Sequence, residues 1–317
     1  MIEQSRKIPK SLAALSAAEG TGLLMLPSGT RLAVKRWGHG TLVLCLHAVG
    51  HGSGDFVDLA ERLGSEFELI AVDWPGMGCS PPDGLPVRAD HFGGLVSEVV
   101  EALRLDRPFV IGNSIGGTAA IVAAAAAPER FAGLVLCNPG GLAPLDGAAR
   151  FVIGRMATFF RAGKRGAAWF PTAFAAYYRF LVLSGRPARA RRKRVVAAER
   201  ELAPILADAW AGFGEPAGDL RALAPRLTLP VWLAWTRGDQ FVSWSRAKAT
   251  VADMPIHRVT LFRGGHSAFL EDPVAFAAGF RTFAVDVQAG SLACDLARAQ
   301  RFPGQSGEEV RDKRLKC

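Results

Sequence analysis

The sequence predicts an α/β fold: a mostly parallel central sheet with helices on both faces, interrupted by a helical insertion. Three observations carry this. Before residue 140, short runs rich in Val, Ile and Leu alternate with helical patterns, the signature of βαβ units. Several of these runs are apolar nearly throughout, as strands are when helices cover both faces of their sheet. The alternation stops between about Leu142 and Ala222, where helical patterns follow one another without a strand, and then resumes.

In chain order, Thr30 to Trp37 and Thr41 to Leu46 read as strands joined by a hairpin turn that holds Gly38, His39 and Gly40. Glu68 to Val72 reads as a strand, Phe92 to Leu103 as a helix, and Pro108 to Gly112 as a strand. Gly117 to Ala127 reads as a buried, alanine-rich helix stopped by Pro128, and Ala132 to Cys137 as the next strand. After the insertion come a strand (Pro230 to Ala234), a helix (Ser243 to Val251), a strand (His257 to Phe262) and a helix (Pro273 to Phe283). The expected organisation is a sheet domain over residues 1–142 and 223–288, a helical cap over 143–222, and a polar, partly disordered tail over 289–317.

The 317 residues are half hydrophobic and one-fifth charged, ordinary values for a globular protein. No apolar run reaches the roughly 20 residues a membrane-spanning helix needs. Arg6, Lys7 and Lys10 precede Leu12 to Leu15 in the manner of a signal peptide, but Ser16 and Glu19 break the apolar stretch, and a short surface helix is the expectation. The five cysteines match neither a zinc site nor a disulfide framework, which points to a cytoplasmic location. Residues 150–200 hold thirteen Lys and Arg against one acid, Glu199, with the tightest run at Arg189, Arg191, Arg192, Lys193 and Arg194. A solvated helix face and weak association with an anionic membrane surface or acidic substrate both fit this charge. Nucleic acid is not expected as a partner, because no reader motif accompanies it.

Gly112-Asn113-Ser114-Ile115-Gly116 carries the chemistry. It matches G-x-S-x-G between a strand and a helix, the setting in which a tight turn exposes a serine hydroxyl. Serine is a weak nucleophile at neutral pH and needs a base, which in turn needs an orienting group. His266 lies in the glycine-rich loop Arg263 to Ser267 after the last strand, where an imidazole reaches the sheet edge. Asp239, just past the strand Pro230 to Ala234, is placed to accept its Nδ1–H. Asp146 is the fallback acid. His39, His91 and His257 are expected in structural or surface roles.

These residues resemble the α/β-hydrolase superfamily, whose nucleophile, acid and base follow the order Ser114, Asp239, His266. Two more segments are similar. Leu44 to Gly50 looks like the family's strand and His-Gly loop, and Asp73-Trp74-Pro75-Gly76-Met77-Gly78-Cys79-Ser80 looks like its D-x-P-G-x-G-x-S loop, with Asp73 structural. The resemblance spans most of residues 20–287. It implies an oxyanion hole from the N–H groups of Val49 and Ile115, with His47, Ala48, Asn113 and Phe241 beside the substrate. The family usually has glycine where this chain has Ala48, and a site requiring positive φ would strain alanine. Relatives that cut carbon–carbon bonds share the elbow but usually carry tryptophan where this chain has Ser267.

The expected activity is therefore hydrolysis of a carboxylic ester or related acyl compound with an apolar or aromatic part, through an acyl-enzyme and without metal or organic cofactor. Two alternatives remain: carbon–carbon bond hydrolysis or another cofactor-free reaction on the same triad, and a binding module of the same fold. The partner in each case is a small molecule. The cap's aromatic residues, Phe151 to Phe180, serve its own core and line an apolar pocket.

Overall fold

The computed structural model describes residues 21–292. Its most apolar strands lie at the centre of one eight-stranded sheet, where both faces are covered. The strands are β1 (Gly22–Met25), β2 (Arg31–Gly38), β3 (Thr41–Leu46), β4 (Phe67–Val72), β5 (Phe109–Asn113), β6 (Gly133–Cys137), β7 (Val231–Thr236) and β8 (His257–Phe262). Their spatial order is β1-β2-β4-β3-β5-β6-β7-β8. From β4 to β8 every pairing is parallel, while β1 and β2 run antiparallel at one edge.

This order corrects the expected hairpin. β2 pairs with β4, Val34 opposite Val72 and Trp37 opposite Leu69, and β3 lies on the far side of β4. The link between them has φ of 75° at Gly38 and 108° at Gly40, and a Cβ at either would strike the backbone of residues 64–67. The two glycines therefore let the chain slip past the end of β4 rather than fold back on itself. The short exposed strand β1 carries no alternation that the sequence reading could catch.

Helices α1 (Val57–Leu63), α2 (Ala89–Ala102), α3 (Ile115–Ala126), α8 (Trp244–Ala252), α9 (Ala268–Glu271) and α10 (Pro273–Gln288) belong to the sheet unit. Between β6 and β7 the insertion supplies α4 (Gly147–Lys164), α5 (Phe170–Tyr177), α6 (Arg189–Val196) and α7 (Glu199–Gly212). A single π-helical turn, Tyr178–Val182, continues α5. Phe109 at the sheet centre meets Phe280 and Phe283 of α10 edge-on, ring centroids 5.9 and 6.0 Å apart. The insertion has its own apolar centre, where Phe160 is buried among Phe159, Phe170, Phe174 and Trp210. Phe151, Trp169 and Phe180, expected in the same group, are exposed instead.

The basic run is not one solvated face. Arg191 is buried and paired with Asp55 of the sheet unit, and Arg192 donates to the carbonyls of Leu183 and Gly185. Arg189, Lys193 and Arg194 face solvent. Among the described residues no helix is long and apolar enough to cross a membrane. The expected N-terminal surface helix, and the expected polar tail from residue 293 onward, lie outside the described residues.

Candidate active site

Parallel strands in register bring the loops at their carboxyl ends to one sheet edge. Leu46 of β3 is level with Gly112 of β5, Gly112 with Leu136 of β6, and Leu136 with Leu233 of β7. The segments that follow these strands carry Ala48 and Val49, Ser114, Asn138 and Asp239, and β8 leads into His266.

Ser114 is the sharp point between β5 and α3. Its backbone sits at φ 54°, ψ −118°, outside the regions L-residues favour, a strain found where function demands it. The turn closes only because its neighbours are glycines. A Cβ on Gly112 would lie 2.6–2.7 Å from the backbone of Gly116 and Gly117, and one on Gly116 would drive into the Leu46 carbonyl of β3. Gly116→Ala is therefore expected to cost about 3 kcal/mol of stability, near the top of the range for forced overpacking; urea unfolding of the variant checks this. The Ser114 N–H bonds the Cys137 carbonyl at 2.9 Å, which fixes the turn against β6.

His266 Nδ1 lies 2.6 Å from Asp239 Oδ2, so the imidazole donates to the carboxylate. The same Asp239 oxygen accepts from Asn138 Nδ2 at 2.7 Å, and Oδ1 accepts from the N–H groups of Phe241 and Val242, each at 2.9 Å. Burial pushes the His266 pKa down, but the Asp239 charge and hydrogen bond, with the charge of Glu271, outweigh it and raise the pKa above its ordinary value. The backbone of this loop is held by the insertion: the His266 N–H donates to the Val182 carbonyl at 2.7 Å. The Glu271 carboxylate bridges the two units, accepting from Gly265 N–H and Gly185 N–H, both at 2.9 Å, and from Ser184 Oγ at 3.3 Å.

Ser114, His266, Val49 and Ile115 all line one cavity of about 300 Å³ between the sheet edge and the insertion, which adds Ile153, Tyr177, Tyr178, Val182, Leu206 and Trp210. That volume is at the lower end for small-molecule sites. Among the described residues, no hydrogen bond engages Ser114 Oγ or His266 Nε2; such bonds are often long before substrate arrives. The N–H groups of Val49 and Ile115 also make none, Ile115 because it opens α3 and has no helical carbonyl behind it.

Ala48 and Phe241 line the cavity as expected, and the expectation of strain at Ala48 is corrected, since its φ is not positive. His47 and Asn113 are corrected as substrate contacts, because both are fully buried away from the cavity. The His47 ring donates from Nδ1 to the Ala48 carbonyl (2.7 Å) and accepts the Trp74 N–H at Nε2 (3.0 Å), and burial lowers its pKa. Asn113 ties the elbow to the base loop. With its amide oriented to satisfy every partner, it donates to the carbonyls of Cys137 (3.1 Å) and His266 (3.0 Å) and accepts from Ser267 Oγ (2.7 Å). Ser267, where relatives carry tryptophan, is thus turned inward. Asp73 has the structural role expected, accepting from the N–H groups of Ser53 (2.5 Å) and Cys79 (2.9 Å). Asp146, the fallback acid, caps α4 at an exposed site and pairs with Arg246.

Three positioning groups were missed: Asn138, Thr236 and Glu271. Asn138 takes positive φ (44°) at the end of β6 and bonds both Asp239 and Thr236. Its signal was a polar residue directly after an apolar strand, at the same end of the sheet as the loop that carries Asp239.

The chain matches a family model described as "Alpha/beta hydrolase family" over residues 43–279. A pimeloyl-[acyl-carrier protein] methyl ester esterase of Xanthomonas axonopodis pv. citri is 30% identical over 258 residues, 74% of this chain and 90% of that protein. A serine hydrolase-like protein of Danio rerio is 38% identical over 114 residues, 35% of each chain. Among solved structures, a membrane phospholipase A described as a bacterial virulence factor superposes with a TM-score of 0.72 at 20% identity, covering 84% of this chain and 86% of that one.

Proposed function

The chain belongs to the alpha/beta hydrolase family and is a hydrolase, and from that premise we propose that it cleaves a carboxylic ester with an apolar or aromatic part through an acyl-enzyme on Ser114. The observation that carries this reading is the convergence of the strained Ser114, the Asp239-bound imidazole of His266 and two uncommitted N–H groups on one largely apolar cavity. In it, His266 Nε2 takes the Ser114 proton as Oγ attacks the carbonyl carbon. The Val49 and Ile115 amides hold the developing oxyanion, each such donor contributing about 3 kcal/mol. The carbonyl re-forms as the C–O bond breaks, and the alcohol leaves with the proton from His266. Water activated by the same base then frees the acid. The helical insertion acts as the cap that shapes the acyl pocket.

A fluorophosphonate probe tests the reading. Covalent labelling of Ser114, with release of p-nitrophenol from p-nitrophenyl esters, is the expected result. A folded protein that takes no label has the fold without the nucleophile and sinks the proposal. A parallel screen of dienone acids separates ester from carbon–carbon bond cleavage.

The raised pKa of His266 sets a pH dependence. The base works only when neutral, so a pKa lifted by Asp239 moves the acidic limb of kcat/KM upward, and its midpoint is expected above pH 6.5. A profile flat down to pH 5 would contradict this.

A further inference from the structure

One buried ionisable group that the triad does not use also borders the cavity. His51 follows Val49 by two residues, in a turn closed by its own N–H to the Ala48 carbonyl (3.1 Å). Its buried ring lies 5.8 Å from that of Tyr178, centroid to centroid, and lines the cavity. Its Nδ1 is 2.8 Å from Asp55 Oδ2. The other Asp55 oxygen takes the Nε–H of Arg191, which reaches in from α6 of the insertion and also donates from Nη2 to the Gly52 carbonyl (3.3 Å). Arg191 Nη1 is left buried with no partner. The guanidinium is committed to Asp55 even with one NH₂ group stranded.

This chain of contacts fixes which ring nitrogen carries the proton. Burial alone would raise the Asp55 pKa, but Arg191 and His51 outweigh it and hold the carboxyl well below the usual range. An ionised Asp55 accepts from Nδ1–H, so a neutral His51 presents Nε2 as a bare acceptor. Among the described residues nothing bonds that lone pair, and Val49, Val182 and Leu206 are among the apolar residues that line the same cavity.

We propose that His51 is a specificity-determining residue whose Nε2 accepts a hydrogen bond from a substrate hydroxyl, so that the cavity selects hydroxylated esters. The proposal rests on the acyl-enzyme reading of Ser114 and deepens it. A buried acceptor built for an O–H is left unpaired by an analogue that lacks one, and the analogue is rejected for that reason.

The test uses full-length protein whose Ser114 has been shown to take a fluorophosphonate probe. Matched p-nitrophenyl and alkyl esters carry hydroxyl, methoxy or methyl at the same carbon, in the acyl or the alcohol part. For at least one matched set, kcat/KM is expected to favour the hydroxyl ester by about tenfold or more, and His51→Phe is expected to level the set. In Asp55→Asn, Arg191 keeps the amide oxygen and turns the NH₂ toward His51. That forces the proton onto Nε2, which donates to a hydroxyl or a methoxy oxygen alike, so the advantage of hydroxyl over methoxy is expected to vanish while both stay ahead of methyl. Nitrogen-15 shifts of His51 in the unsubstituted protein, expected to show protonated Nδ1, report independently of whether either variant folds. Equal kcat/KM across every set in labelled protein overturns the proposal, as does protonated Nε2 or a preference that survives His51→Phe. Failure of Ser114 to label overturns the acyl-enzyme reading itself, and this one with it.

Discussion

Ser114→Ala is expected to lower ester turnover by about 10⁴-fold or more while leaving the fold unchanged. Ser114 Oγ makes no hydrogen bond among the described residues, so its removal strands no partner. Alanine pays the same backbone strain at φ 54° that serine already pays. Stability is therefore expected to stay within about 0.5 kcal/mol, and the loss falls on chemistry alone. What remains comes from substrate binding and the Val49 and Ile115 amides, which still polarise a carbonyl toward attack by water. Steady-state kinetics on p-nitrophenyl esters with a parallel urea titration separate the two effects. A variant that keeps more than a tenth of the turnover dismisses Ser114 as nucleophile.

Asp239→Asn is expected to cost nearly as much, about 10⁴-fold in kcat, for a different reason. The Phe241 and Val242 N–H groups fasten one carboxylate oxygen, and in the variant the amide oxygen stays with those two donors. The NH₂ then faces His266 Nδ1 and also the Asn138 amide, which loses its acceptor; the imidazole must accept there and carry its proton on Nε2, where it is useless as a base toward Ser114. The pH profile supplies a second readout. Without the Asp239 charge, burial is the dominant influence left on His266 and pushes its pKa down, so the acidic limb is expected to move to lower pH. A purely structural loss would reduce activity without moving that limb. An unmoved limb would therefore assign Asp239 to the scaffold.

The fold class was legible because its signals are local and repeated. Strands such as Leu134 to Cys137, buried on both faces, admit little but apolar residues, and a helix packed close to the sheet needs the alanines of 119–126. The edge of the sheet was not legible. Gly38 and Gly40 serve a crossover as well as a hairpin, and only the position of β4 decides between them. At the site, Ser114 stood out by its G-x-S-x-G turn, and Asp239 and His266 as reactive side chains in the loops past β7 and β8. His47 and Asn113 lie at strand ends too but turn inward. Burial against Trp74 and Ser267 decides their direction, and that packing lies 27 and 154 residues away in sequence. The Arg191 pair with Asp55 spans 136 residues, and nothing in a run of five basic residues says which one folds under.

The imidazole loop hangs from the insertion, through the Val182 carbonyl and the Glu271 bridge to Gly185 and Ser184. The sheet unit holds that loop through Asp239, Asn113 and Thr236, but the His266 N–H itself is fastened only by the insertion among the described residues. The two parts are therefore not interchangeable modules. A chimera that takes its lid from a relative, to acquire that relative's substrate range, has to bring a matching 182–185 segment and keep the acid at 271 to receive it. Otherwise the graft delivers a new pocket over a histidine whose backbone N–H has lost its partner.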